Sequence, residues 1–165
     1  MGAVPRKGPQ HALSYTHGAD GTALCGTTVA GVLDAAAAHW PDREALVVVH
    51  QGVRWTWREL RDRARQLATG LIGLGLAPGD RIGMLAPNRA EWVLTQFASS
   101  LAGLILVNIN PAYRPPELEY ALRKVGCRAL VTESTFKTSD YVAMLGGLLP
   151  ELASTAPGEL HSERL

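Results

Sequence analysis

Between residues 29 and 40, Val29, Val32, Leu33, Ala36 and Trp40 recur at helical spacing behind Thr28, a residue suited to an N-cap, and Pro41 ends the run. The period then changes. ALVVVH and VRWTW, residues 45–50 and 53–57, flank Gln51-Gly52 and read as a hairpin with a two-residue connection. Gln suits the positive φ of such turns less well than Asn. Helical spacing returns in Leu60, Ala64, Leu67, Ala68, Leu71 and Ile72, behind Thr56 and Glu59 in the T-x-x-E of a capping box. Gly73, Gly75 and Pro78 stop that helix. RIGMLA, residues 81–86, follows as a short buried strand. Asn88 is expected to cap a helix that carries Trp92, Val93, Phe97 and Leu101 inward and ends at Gly103.

LILVNI, residues 104–109, predicts a second buried strand. Pro115 and Pro116 then open a helix with Leu118, Leu122 and Val125 on one face and Gly126 at its end. RALVT, residues 128–132, is a third strand, and Val142, Leu145, Leu148 and Leu149 mark a last helix that stops at Pro150. Helix and strand therefore alternate from residue 56 to 149, and strands joined through helices lie parallel with right-handed crossovers. The fold class is α/β, with a largely parallel sheet and one hairpin. Residues 1–24 read as a flexible polar leader, 25–150 as the α/β unit, and 151–165 as a linker-like tail without apolar periodicity.

Composition narrows the partners. A chain of 165 residues with 47% hydrophobic and 19% charged residues and a net charge of +1 has neither the basic field of a nucleic-acid binder nor the composition of a disordered segment. Arg58, Arg61, Arg63 and Arg65 share one helix, but Glu59 and Asp62 stand among them and blunt the field, so the run reads as a solvated face. Cys25 and Cys127, the only cysteines, lack metal-like spacing and are too few for a disulfide framework. The leader has no apolar run of signal-peptide length, Pro5, Gly8 and Pro9 would break an amphipathic transit helix, and no stretch is long enough for a membrane span. A cytoplasmic location follows, with a mitochondrial one as the lesser reading.

Open parallel sheets bind ligands beyond the carboxyl ends of their strands, which directs attention to LAPN (85–88), NINPAY (108–113) and TES (132–134). None has the composition of an active centre. A phosphate cradle needs a Gly-rich turn between a strand and a helix, whereas the cluster Gly73, Gly75, Gly79 lies between a helix and a strand and reads as a stop and turn. CGTTVAG, residues 25–31, lacks a Lys for phosphate charge and reads as an N-cap. His11, His17, His39, His50 and His161 have no Cys or second His in ligand spacing, and no Ser stands in a G-x-S-x-G elbow. The amides of Asn108 and Asn110 are expected to bond loop backbone, and Trp40, Trp55, Trp57 and Trp92 to belong to the core.

WTWRELRDRARQLATGL with GDRIGMLAPNRAEWVLTQFASSLAGLILVNINPAY resembles the opening of the large domain in the AMP-forming acyl-CoA synthetase, adenylation-domain and luciferase superfamily. W-T-W-x-E-L is similar to a core motif written L-T-Y-x-E-L, and SLAGLILVNINPAY to one that ends in V-x-x-N-P-x-Y. SYTHG, REALVVVHQGVRWTW, NPAYRPPELEYALRKVGCRALV and FKTSDYVAML further resemble the medium-chain synthetases called acyl-CoA synthetase family member two. The resemblance runs from about Ser14 to the end of the chain.

It implies an enzyme that joins a fatty acid to ATP as an acyl-adenylate, releasing pyrophosphate, and then passes the acyl group to the thiol of coenzyme A, with Mg²⁺ offsetting charge at the α-phosphate. In that family the loop T-S-G-T-T-G-x-P-K-G, the acyl pocket, the magnesium-binding Glu and the adenylation Lys all come later than the matched stretch. The chain thus reads as the N-terminal portion of such a ligase, a fragment or truncated product. By itself it is expected to hold no catalytic, cofactor-binding or metal-binding residue and to act as an inactive scaffold. The alternative is a stand-alone interaction or dimerisation module, in which exposed apolar surface leads to a homo-oligomer. A nucleotide-binding domain of Rossmann type is discounted, because no fingerprint follows a strand.

Overall fold

The computed structural model describes residues 25–156, 158–160 and 162, so the leader expected over 1–24 lies outside the described residues. Helix α1 (Val29–His39) precedes strands β1 (Glu44–Val48) and β2 (Val53–Thr56), and helix α2 (Trp57–Gly73) follows directly. Then come β3 (Arg81–Leu85), α3 (Ala90–Leu101), β4 (Ile105–Asn108), α4 (Pro115–Val125) and β5 (Cys127–Thr132). A two-residue pair of strands, β6 (Thr135–Phe136) and β7 (Ser139–Asp140), leads into α5 (Tyr141–Leu148).

Strands β3, β4 and β5 form a parallel sheet in the order β4-β3-β5. The central strand reads as a continuous apolar run because both its faces are covered. Helices α2 and α3 close one face through Ala68, Leu71 and Ala98 against Ile82, Leu106 and Ala129. On the other face Leu118 and Leu122 of α4 and Leu145 and Leu148 of α5 pack on Leu85, Ile109 and Leu130. A third apolar cluster holds α1 and the β1–β2 hairpin against α2 and α3 through Leu33, Leu60, Ala64 and Trp55. Full burial of a side chain such as Leu33, Ile82 or Leu118 contributes roughly 1.5–3 kcal/mol each.

The helix ends follow the sequence closely. Thr28 Oγ1 accepts from Gly31 N–H at 3.0 Å, and Thr56 and Glu59 close their capping box from both sides. Gly126 ends α4 in the left-handed region, at φ 60°. The central strand also needs its glycine: a Cβ on Gly83 would lie 2.8 Å from Leu130 Cδ1 and 3.1 Å from Cys127 Sγ.

Four expectations are corrected. The hairpin connection is not two residues: Val48 pairs with Val53, and Val49–Gln51 form a 3₁₀ turn before Gly52, so only Gly52 needs a positive φ, of 65°. Gln51 is released for another task. The N-cap of α3 is Arg89, not Asn88. The stripe of α1 is only partly used, since Leu33 and Ala36 are buried while Val29, Val32 and Trp40 stay nearly half exposed. Finally, a second hairpin, β6–β7, exists where only a loop was expected, turning through Lys137 at φ 52°.

The arginines of α2 lie on a solvated face, but their partners come mostly from outside the helix. Arg58 pairs with Asp42 at 3.0 Å, Arg65 with Asp34 of α1 at 2.8 Å, and Arg63 lies over the Trp55 ring at 4.8 Å. Arg61 alone takes its neighbour Asp62. Glu59 is turned back to Thr56, whose hydrogen bonds hold its carboxyl below the usual range with a smaller contribution from the charge of Arg63.

Candidate functional site

The chain leaves β3 through α3 to reach β4 on one side, then passes through α4 on the opposite face to reach β5 on the other side. Loops after β3 and β5 therefore diverge, and the crevice between their carboxyl ends is the place where an open α/β sheet takes a ligand. A cleft of about 240 Å³ lies there, between Met84 and Ala86 of the β3 end and Val131, Thr132 and Glu133 of the β5 end.

Side chains from three elements close it. Arg89 Nη1 donates to the Glu133 carboxylate across the crevice, and Arg89 Nε donates to Glu91 Oε2 at 3.1 Å. Gln51, at the hairpin tip, reaches over: its Nε2 donates to both Glu91 oxygens, at 3.2 and 2.9 Å, and its Oε1 accepts from Ala90 N–H at 2.8 Å. Gln51 thus caps α3 from 39 positions away along the chain. The Arg89 hydrogen bond, aided by Gln51, holds the Glu91 carboxyl at about 2, against the opposing pull of partial burial. A carboxylate so placed stays ionised near neutrality and is a poor proton carrier there.

The loop after β4 is fixed just as firmly. Asn110 Oδ1 accepts from Ala112 N–H at 2.9 Å, and the Asn110 carbonyl accepts from Tyr113 N–H at 3.1 Å. Asn110 therefore bonds loop backbone as expected, while Asn108 sits exposed at the end of β4 and lines a groove against α4. Tyr141, completely buried, donates its hydroxyl to the Pro111 carbonyl at 2.6 Å. Sequence reasoning passed over Tyr141, although its position directly after the helix-capping Asp140 marks it as the first inward residue of α5.

The remaining candidates lie apart from this end of the sheet. Gly75 and Gly79 shape a turn at φ 87° and 89°, in which Asp80 Oδ2 accepts from Ala77 N–H at 2.8 Å. His39 and His50 are exposed, whereas His11, His17 and His161 lie outside the described residues. Among the described residues no three His, Cys, Asp or Glu side chains gather as a metal-holding group. Cys25 and Cys127 are free thiols, and burial pushes the Cys127 thiol up. Trp55 and Trp57 pack on the α1–α2 cluster, and of the four tryptophans Trp40 departs furthest from a core position.

The sequence matches the AMP-binding enzyme family over residues 33–160. The chain belongs to the AMP-binding enzyme family. It is 48% identical to medium-chain acyl-CoA ligase ACSF2, mitochondrial, of Mus musculus over 157 residues, which are 95% of this chain and 26% of that protein. The Homo sapiens protein of the same name is 46% identical over the same share of this chain. A Mycobacterium tuberculosis fatty acyl CoA synthetase superposes with a TM-score of 0.68 over 81% of this chain and 25% of that one, at 24% identity, a likeness of fold. The chain spans about a quarter of the length of the curated relatives it matches.

At this end of the sheet the groups that would meet a phosphate are already engaged. The first N–H of α3 is taken by Gln51, the crevice is bridged by an Arg–Glu pair, and the Gly-rich turn precedes a strand instead of a helix. No helix among the described residues is long and apolar enough to cross a membrane.

Proposed function

We propose that residues 25–150 are the N-terminal scaffold of an ATP-dependent acid–thiol ligase, which forms an acyl-adenylate from a fatty acid and then an acyl-CoA. The observation that carries this reading is the 48% identity to the mouse medium-chain ligase across 95% of the chain. A medium-chain acid is the favoured substrate class on the same ground. ATP, Mg²⁺ and coenzyme A act in the complete enzyme, and no catalytic, cofactor-binding or metal-binding residue is assigned to residues 1–165. The braced carboxyl ends of the strands support that assignment, because every polar group placed there by Gln51, Arg89, Glu91 and Glu133 is committed to another element. The mitochondrial designation belongs to the relatives.

A second reading, a dimerisation module, draws on the exposed apolar residues Ile105 and Tyr120 beside β4. One experiment separates the two. ATP–pyrophosphate exchange is measured with Mg²⁺ and fatty acids of graded length, on the 165-residue chain and on a chimaera in which it replaces the matching quarter of the mouse ligase. Exchange by the chimaera alone supports the scaffold. Exchange by the short chain alone would overturn it, and a folded but inactive chimaera beside a stable homodimer of the short chain would favour the module.

A further inference from the structure

The outward side of α4 carries its charges in a mirrored order. Leu118 and Leu122 hold the helix to the sheet, and Pro116, Tyr120 and Lys124, each four residues apart, run along the opposite side. Tyr120, in the middle of that ridge, is 67% exposed. The ridge divides two shallow grooves, one of about 510 Å³ toward Val107 and Tyr113 and one of about 470 Å³ against Glu119 and Arg123.

Acidic and basic positions stand symmetrically about Tyr120. Glu117 lies three residues before it and Arg123 three residues after, about 4.5 Å either way along the axis and, at about 100° per residue, on opposite flanks of the ridge. Acid first and base last suits the helix macrodipole, which explains the signs. It does not call for an exposed aromatic ring midway between them. Arg123 and Lys124 make no ion pair among the described residues. Glu117 Oε2 accepts from Arg114 N–H at 2.8 Å, and its carboxylate has room for a further donor.

A half-turn about an axis through Tyr120, perpendicular to α4, exchanges these positions. It sets Glu117 of each copy against Arg123 of the other and brings the two Tyr120 rings together. We propose that α4 is a two-fold contact at which a second copy of this chain docks, antiparallel, through Tyr120 and two Glu117–Arg123 pairs between copies. A two-fold interface must be complementary to itself, and this order of charges on one helix meets that condition. The ring pair supplies contact area, and the charges select the antiparallel orientation. One helix face covers less than the ~800 Å² per partner of a standard interface, so the contact is weak, with a Kd above about 1 μM. The pairing does not depend on the ligase reading, since it uses only surface groups of α4 and its test reads mass, not activity.

Sedimentation equilibrium of the 165-residue chain at graded concentration tests the contact with two charge reversals, Arg123→Glu and Glu117→Lys. Each variant alone meets its own copy with two like-charged pairs, and its self-association is expected to fall by roughly tenfold or more. Mixed one to one, the two variants form a pair in which both contacts are again opposite in sign, so association returns to near the wild-type value. Wild-type association should also weaken as salt rises from about 50 to about 500 mM, because the charges are exposed. A wild-type chain that stays monomeric at millimolar concentration would overturn the contact. Variants that associate as well alone as mixed would overturn it in favour of another surface, such as that around Ile105. Glu117 also caps α4, so circular dichroism checks the fold of each variant. If Glu117→Lys does not fold, Arg123→Glu decides alone: a tenfold loss supports the contact and undiminished association overturns it. Should the 165-residue chain be insoluble, the same samples are measured in the chimaera with the mouse ligase, where monomers throughout would overturn the proposal.

Discussion

Replacing Tyr141 by Phe removes one oxygen and keeps the ring that fills the α4–α5 core, which isolates the hydrogen bond to Pro111. The donor is fully buried and its bond is 2.6 Å long, so its loss leaves the Pro111 carbonyl without that partner. A net cost of about 1 kcal/mol follows, up to about 3 if water does not reach the carbonyl. For a chain of this size 1 kcal/mol lowers the melting temperature by roughly 2–4 °C. A second arm comes from the phenol itself, whose value burial raises above the usual 10. Below pH 10 both folded and unfolded chains hold the proton, and the stabilisation is complete. Above it the unfolded chain releases the proton first, so stability falls as pH rises toward the folded value, by up to ~1.4 kcal/mol per pH unit. The Phe variant lacks that loss. Urea unfolding of both proteins at pH 7 and at pH 10.5–11 should therefore show a gap that narrows in alkali. Equal stability at pH 7, or a gap that does not change with pH, would refute the role given to Tyr141.

Gln51→Ala deprives Ala90 N–H of its acceptor and Glu91 of two donated bonds, and is expected to cost about 1–2 kcal/mol in urea unfolding. Hydrogen exchange should also quicken in the β1–β2 hairpin before the parallel sheet. The Glu91 carboxyl, held at about 2, contributes stability above its ordinary value of 4.5 that is lost as pH falls from there toward 2. Wild type and Glu91→Gln should therefore differ in melting temperature at pH 6 and converge near pH 2, modestly because the side chain is about half exposed. Gly83→Val forces new methyls against Leu130, Ile109 and Cys127, and a loss of about 1–3 kcal/mol is expected by thermal melting, whereas an unchanged melt would show that the sheet face relaxes freely.

Elements with local signals were legible in the sequence. The capping box at Thr56 and Glu59, the proline pair at Pro115 and the αL glycine at Gly126 each satisfy backbone groups within a few residues, so sequence spacing describes them fully. The features it missed join distant elements. Gln51 looked like a weak turn residue because its partners, Ala90 and Glu91, are some 40 positions away. Asn88 has the side chain of a cap, but the donor it would satisfy is already met by Gln51, and the helix begins after Arg89. Trp40 kept helical spacing yet marks the end of α1, where the chain turns away at Pro41 and the stripe loses its neighbour. At the candidate site, the loops after the strands were located from the sequence, but their closure by an ion pair between Arg89 and Glu133 depends on the β4-β3-β5 order, which periodicity does not specify.

That strand order bears on where chemistry belongs in this fold. Divergent loops after β3 and β5 open a crevice, and the chain fills it with a guanidinium and a carboxylate that are each less than one-third exposed. A ligand entering there would have to displace a paired Arg and Glu, and separating a sheltered pair leaves both charges poorly solvated. The groove beside β4 offers different conditions, with Val107, Ile109, Tyr113 and Tyr120 in its walls in place of a paired guanidinium and carboxylate. The carboxyl end of this sheet is thus suited to hold α3 and the hairpin in place, because Gln51, Arg89, Glu91 and Glu133 tie three elements together there.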